Sequence, residues 1–184
     1  MPPCELTAGF TLQCKDGIGG IKAIFIQQRE DYLAGGVVSI DPTTQEVDGL
    51  PTMSIYQYTL PKHTGNFTEE VASSVENGTI YYTQTVTATF HKLSAARRKQ
   101  LDLVAKNRLV VFVQDNNDNI WLVGKVDGAE VTAASTATGT AKGDLNGYTI
   151  TFTAEEAAKA YRLESFQDVP FDNFATISVV APTI

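Results

Sequence analysis

The feature that most constrains this chain is a long alternation of side chains from Thr79 to His91. Successive side chains of a β-strand point to opposite faces, so such a segment predicts a strand with two different faces. One face is mostly apolar and the other is nearly all threonine. The first carries Ile80, Tyr82, Gln84, Val86, Ala88 and Phe90, and the second carries Thr79, Tyr81, Thr83, Thr85, Thr87, Thr89 and His91.

The segment Gly147 to Thr153 repeats this design, with Tyr148, Ile150 and Phe152 on one side and threonines between them. Two further segments, Leu109 to Val113 and Ile120 to Val123, are apolar throughout, which favours strands that are buried on both faces. A polar turn joins them. We therefore expect a central hairpin, covered on one side by a helix.

Turn chemistry supports a sheet rich in hairpins, because Asx-Gly pairs tolerate the positive φ angles of tight turns. Short apolar or Tyr- and Thr-rich runs between the turns predict further strands at Ile21 to Gln27 and Met53 to Leu60. The Asx-Gly pairs are Asp16-Gly17, Asp48-Gly49, Asn77-Gly78, Asp127-Gly128 and Asn146-Gly147.

One amphipathic helix is predicted from Ala95 to Lys106, because Ser94 is a good N-cap and strong helix formers follow it. A capping-box spacing from Thr153 to Glu156 predicts a second helical turn. The expected fold is mainly β with one flanking α-helix, as an antiparallel β-sandwich or a partly closed barrel. We expect residues 1–184 to form a single domain.

Two segments stand apart from this framework. The segment from Leu33 to Pro51 contains glycines, a proline and an Asp-Gly pair, and predicts a hairpin arm or a long loop. The tail from residue 166 to 184 carries aromatic residues and then an apolar run, Ala175 to Ala181. A terminal strand of this kind is expected to pair with a sheet edge, either its own or that of a neighbouring subunit.

Composition limits the classes of partner. The net charge is −7, the pI is about 4.8 and only 19% of residues are charged. This balance argues against tight binding to a phosphate backbone, which needs clustered Lys and Arg. The N-terminal residues lack the features of a signal peptide, and no apolar run is long enough for a membrane span. We therefore expect a protein that is made and folded in a cytoplasm.

The residues that could carry catalysis are few. His63 and His91 are the only candidates for a general base, and no Ser-His-Asp or Cys-His order accompanies them. Cys4 and Cys14 are expected to be free thiols in a reducing compartment, although a disulfide between them stays possible in principle. With two histidines they offer no four-ligand zinc spacing. We expect no catalytic, cofactor-binding or metal-binding residues.

Two loop motifs resemble ligand-binding loops only in part. The segment Asp115 to Asn119 has the oxygen-bearing side chains that begin a calcium loop, but Ile120 stands where glycine is required and Val126 where a glutamate is required. A hairpin turn is the preferred interpretation. The glycines of residues 17–20 and 139–143 lack the order of phosphate-binding loops, and we interpret both segments as connectors.

The segment from about Thr79 to Thr153 resembles tail-tube and related virion proteins of phages that infect Bacteroidetes-type hosts. The similarity covers half to two-thirds of the chain, and its most distinctive part is Thr140 to Glu156. The other stretches that carry it are Leu6–Leu12, Gly19–Lys22, Tyr82–Phe90, Ser94–Lys106, Val110–Asn117 and Ile120–Gly124.

This resemblance implies a structural protein that forms hexameric rings, which stack into a hollow tail tube. The implied partners are other copies of the chain and other tail proteins, namely the baseplate, the terminator and a sheath if one is present. The genome or an effector would pass through the lumen without specific binding. The implied location is the virion tail, assembled in the cytoplasm of the host bacterium.

Within such a tube, the threonine faces are the expected lining of the lumen or the contact between subunits. The candidate residues are Thr83, Thr85, Thr87, Thr89, Thr149 and Thr151. The arm Leu33 to Pro51 and the run Ala175 to Ala181 are candidates for ring-to-ring contact. Alternatives are a head–tail connector, a tail terminator or a baseplate component, and a small-ligand-binding β-barrel is a more distant one.

Overall fold

The computed structural model describes residues 9–11 and 15–183, and these residues form twelve strands and two helices. Cys4 and Cys14 lie outside the described residues, so their expected state stays a prediction. The elements are β1 (Ile21–Gln28), α1 (Arg29–Ala34), β2 (Ser39–Ile40), β3 (Val47–Gly49), β4 (Met53–Thr59), β5 (Gly65–Ser74), β6 (Thr79–His91), α2 (Ala95–Lys106), β7 (Leu109–Asp115), β8 (Ile120–Val123), β9 (Glu130–Ala137), β10 (Gly147–Glu156), β11 (Tyr161–Arg162) and β12 (Ile177–Val180).

Most strands belong to two sheets that pack face to face. The six-stranded sheet has the order β11-β8-β7-β1-β4-β12, and the four-stranded sheet has the order β5-β6-β10-β9. All neighbours are antiparallel except β12, which runs parallel to β4. The predicted mainly β, antiparallel architecture is confirmed. The described strands form no closed barrel, and the expectation of one helix is wrong because the described residues contain two.

Apolar residues of both sheets form the core between them. Ile24 and Val111 of the six-stranded sheet pack in one cluster with Val86, Ile150 and Phe152 of the four-stranded sheet. Because the alternating strands contribute only one of their faces, their threonines remain on the opposite side of the sheet. The core therefore fixes which way the threonine faces point.

A second cluster covers the other face of the six-stranded sheet. Phe25 of β1 and Phe112 of β7 make edge-to-face contacts with Phe171, at centroid distances of 5.0 and 5.4 Å. Strands β1 and β7 are thus buried on both faces, which the apolar run Leu109 to Val113 predicted for β7. Tyr32 of α1 and residues near Leu50 complete this cover, so α1 and loops lie here and not α2.

The predicted helix α2 is confirmed, while the helical turn at Thr153 is wrong. The Ser94 Oγ accepts a hydrogen bond from the Arg97 amide at 3.2 Å, and Val104 is buried in the first core cluster. At residue 153 the chain stays extended through Glu156, because Ala154 and Glu156 continue the buried alternation of β10. Tertiary burial overrides the local capping signal there.

The Asx-Gly pairs do not all form turns. Gly78 and Gly128 have positive φ angles of 61° and 85°, as turns require. Gly49 is the last residue of β3, and Gly147 is the first residue of β10. A Cβ atom at Gly147 would collide with the carbonyl oxygen of Phe90, so this glycine allows β6 and β10 to approach each other.

The segment from 33 to 51 contains a hairpin, as predicted, but folds back onto the protein. Its strands β2 and β3 pair with each other, and Val47 and Leu50 are buried in the second cluster. Removing the segment would therefore remove core residues. The C-terminal run also returns to its own chain, because Ile177 to Val180 pairs with β4.

Candidate functional site

The six threonines singled out from the sequence lie on one surface, the outer face of the four-stranded sheet. In the register of β6 and β10, Thr89 lies opposite Thr149 and Thr87 lies opposite Thr151. Thr85 lies opposite Thr153, which extends the same row. We call the outer-facing residues of these two strands, from Thr83 to Thr89 and from Thr149 to Thr153, the threonine face.

Hydroxyl groups join the strands across this face. The Oγ1 atoms of Thr87 and Thr151 lie 3.4 Å apart, and those of Thr89 and Thr149 lie 3.2 Å apart. Thr132 of β9 extends the row through a 2.9 Å contact with Thr153. Cross-strand pairs of this kind contribute about 0.2–1 kcal/mol each. The face is polar, partly buried and held together by its own side chains.

Charge is confined to the ends of the threonine face. Glu70 of β5 and Glu155 of β10 lie on either side of Thr83 in the register, and His91 ends β6 at the other end. Strands β5, β6 and β10 contain no lysine or arginine. An anion that approaches this face therefore meets hydroxyl groups and carboxylates, and none of these attracts it strongly.

Both edge strands of the four-stranded sheet were missed by the sequence reasoning. Within the described residues, β5 and β9 each pair with one strand only. Strand β9 is almost entirely exposed, and Glu130 is its single charged residue. The outer backbone groups of an edge strand can pair with another chain. The Asn77-Gly78 turn before Thr79 was a signal for β5, because a hairpin turn needs a strand on each side.

The described residues considered for catalysis or metal binding either lie exposed at the surface or close a turn. His63 and His91 are both exposed, His63 in the turn before β5 and His91 at the end of β6. The Asp115 carboxylate accepts hydrogen bonds from the Asn117 and Asn119 amides, both at 2.8 Å, and so closes the β7–β8 turn. In the described part of the chain, no group of three His, Cys, Asp or Glu side chains could hold a metal ion.

A groove with a volume of about 400 Å³ lies between β4, the adjoining ends of β6 and β10, and α2. We call it the aromatic groove, because Tyr56, Tyr58, Phe90 and Tyr148 line it. The Tyr58 hydroxyl accepts a 3.3 Å hydrogen bond from Gln100, and burial raises the pKa of Tyr58. The groove was not predicted, because residues of five separate elements, β4, β6, α2, β10 and β12, form it.

Comparisons with protein-family models and with curated protein sequences yield no match to this chain. None of the helices in the described ranges is long and apolar enough to cross a membrane.

Proposed function

We propose that the chain is a structural virion protein that assembles into stacked hexameric rings, which form the hollow tail tube of a phage or phage-like particle. One observation carries the proposal. The four-stranded sheet combines an uncharged threonine face with two edges that have no partner strand in the described residues. We infer the hexameric ring and the tube from the resemblance of residues 79–153 to tail-tube proteins.

Ring closure would use the open edges. Strand β5 of one copy would lie beside β9 of the next, so that the four-stranded sheets join into one continuous wall. Such an interface joins two different surfaces of the chain, and it removes all free edges only when the ring closes. The threonine face would then line the lumen, while the six-stranded sheet would lie outside.

The chemistry of the threonine face suits a lumen through which nucleic acid passes. Binding of DNA depends on cations that neutralise phosphates, and β5, β6 and β10 carry no lysine or arginine. The net charge of −7 and the carboxylates of Glu70 and Glu155 add repulsion. The hydroxyl groups keep the wall wetted without fixing a passing chain in place.

The rival assignments differ in how far assembly proceeds. A head–tail connector or a tail terminator would share the β-rich fold but would form a single ring or a specific complex. A ligand-binding barrel has less support, because side chains such as Ile24, Val86 and Phe152 fill the space between the sheets.

Sedimentation velocity over a wide range of protein concentrations tests the proposal. We expect the monomer to convert into hexamers and then into a broad series of larger species as concentration rises. A single monomeric species at every concentration would overturn it. A hexamer that never grows would favour the connector or terminator assignment instead.

A further inference from the structure

The hairpin formed by β5 and β6 extends beyond the rest of its sheet. Strand β10 pairs with β6 only from Tyr82 onward, whereas β5 and β6 stay paired as far as Ser74 and Thr79. We call residues 71–81 the hairpin tip. Four apolar side chains on it are exposed to solvent. They are Val71 (56%), Val75 (96%), Ile80 (56%) and Tyr81 (42%). By the register, Val71 and Ile80 share the apolar face of the hairpin, Val75 lies in its turn, and Tyr81 lies on the opposite face. Exposed apolar residues gathered at a protruding tip mark an interaction surface.

The aromatic groove is a matching recess. Tyr56 and Tyr58 lie opposite Ile26 and Ile24 in the sheet register, so they belong to the face of the six-stranded sheet that forms the core. The four-stranded sheet does not cover this part, and Tyr56 is 45% exposed and Val180 40% exposed. A volume of about 400 Å³ is within the usual range for binding sites, about 300–1,000 Å³.

The two surfaces carry opposite charges. The hairpin tip carries one charged side chain, the exposed Glu76, and no lysine or arginine. Arg97 lines the groove, and the charged residues of the segment that contains it, from 91 to 99, are all basic. They are Lys92, Arg97, Arg98 and Lys99. Opposite potentials of this kind favour one docking orientation and speed association.

The tip and the groove lie at opposite ends of the same strand. The tip includes Thr79, the first residue of β6, and the groove is lined by Phe90 and His91, its last residues. A strand of this length spans roughly 40 Å. A chain therefore cannot fill its own groove with its own tip. A protrusion at one end and a recess at the other can join successive copies in a line that does not close on itself.

We propose that the hairpin tip of one copy docks into the aromatic groove of a second copy and forms the contact between successive rings. This inference rests on the proposed tail-tube function and names the axial partner of each subunit. It is separate from the edge-to-edge contact within a ring. Val75 and Ile80 enter the groove against Tyr56 and Val180, while Glu76, the glutamate of the tip, faces the basic residues that begin α2.

Disulfide trapping tests this docking directly. In a background with both native cysteines replaced (C4S/C14S), the double variant V75C/V180C is oxidised at a concentration at which the protein assembles. A disulfide needs Cα atoms within roughly 7 Å, so the two positions cannot pair within one chain. We expect a ladder of covalent oligomers on a non-reducing gel. The single variants V75C and V180C should give dimers at most. The control is V37C/V180C, because Val37 (91%) is about as exposed as Val75 (96%), and it should give no ladder.

Charge insertion gives a second readout. The V75D variant should form rings that do not stack into tubes, whereas V37D should assemble like the wild type, and thermal melts check that both are folded. Two results would overturn the docking and leave the tube assignment intact. In both, the wild type forms tubes, but either V75C/V180C gives no ladder or V75D stacks normally. A wild-type protein that does not assemble at all would overturn the tube assignment, and the docking with it.

Discussion

At the scale of single residues, Asp172 shows how a charged side chain shapes the loop over the second core cluster. Its carboxylate accepts hydrogen bonds from the amides of Gln167 (3.0 Å), Asp168 (2.6 Å) and Val169 (3.2 Å). The neighbouring Phe171 is thereby held in the core. The backbone donors, Asp168 first, hold the pKa of Asp172 below its usual value of 3.8.

This lowered pKa predicts a specific pH dependence for the D172N variant. The folded state favours the ionised carboxylate, so its stabilising effect is complete above the unfolded pKa and is lost as pH falls through the folded pKa. We expect D172N to lower Tm by a few degrees at pH 7, and the difference from wild type to vanish well below pH 3.8.

The matched control for this prediction is D168N, which removes the same charge from the same turn but leaves the bonds to Asp172 in place. Its Tm should stay close to the wild-type value across the pH series. A D172N difference that stays constant down to the lowest pH would contradict the role assigned to the carboxylate.

The threonine face was predictable at this scale, while the aromatic groove was not. A strict period of two assigns Thr87 and Thr151 to the side opposite Val86 and Phe152, whatever strand lies next to them. Their cross-strand contact depends on register, which the sequence does not specify. The groove needs Tyr56 and Val180 to lie beyond the end of the other sheet, and this follows only from how far each sheet extends.

At the scale of elements, the strands with a buried face were predicted and the open edges were missed. From Thr132 to Ala137, β9 contains only alanine, threonine and serine with no apolar alternation, because neither of its faces is deeply buried. In β5 the consecutive glutamates Glu69 and Glu70 interrupt the alternation of apolar and polar residues. In the fold, Glu69 accepts a hydrogen bond from the Ala160 amide. Helix α1 has only six residues and no side-chain cap, so it left little local signal.

The open edge of β9 predicts the effect of a lysine placed on it. Ala133 is exposed and lies opposite Thr151 at the edge of the sheet. Lysine is a residue with which natural edge strands oppose the addition of another strand. We expect A133K to keep the wild-type Tm within about 2 °C and to sediment as a monomer where the wild type forms rings.

The control is A141K, which adds the same charge at an exposed alanine in the loop before β10. This variant should assemble normally. If A133K forms rings as readily as A141K, strand β9 does not take part in ring closure.

At the scale of the whole molecule, the two proposed contacts between copies differ in geometry. The edges β5 and β9 lie on the two sides of one sheet, so their pairing would run around a ring and end when the ring closes. The hairpin tip and the aromatic groove lie at opposite ends of β6, so their pairing would continue from ring to ring without limit. Together the two proposed contacts would give an assembly of fixed diameter and open length, which is the shape of a tube.

The most direct test of this account is negative-stain electron microscopy of the purified, concentrated protein without any other component. The account predicts hollow tubes of uniform diameter and variable length, with isolated rings at lower concentration. Fields of small, separate particles with neither rings nor tubes at any concentration would contradict it.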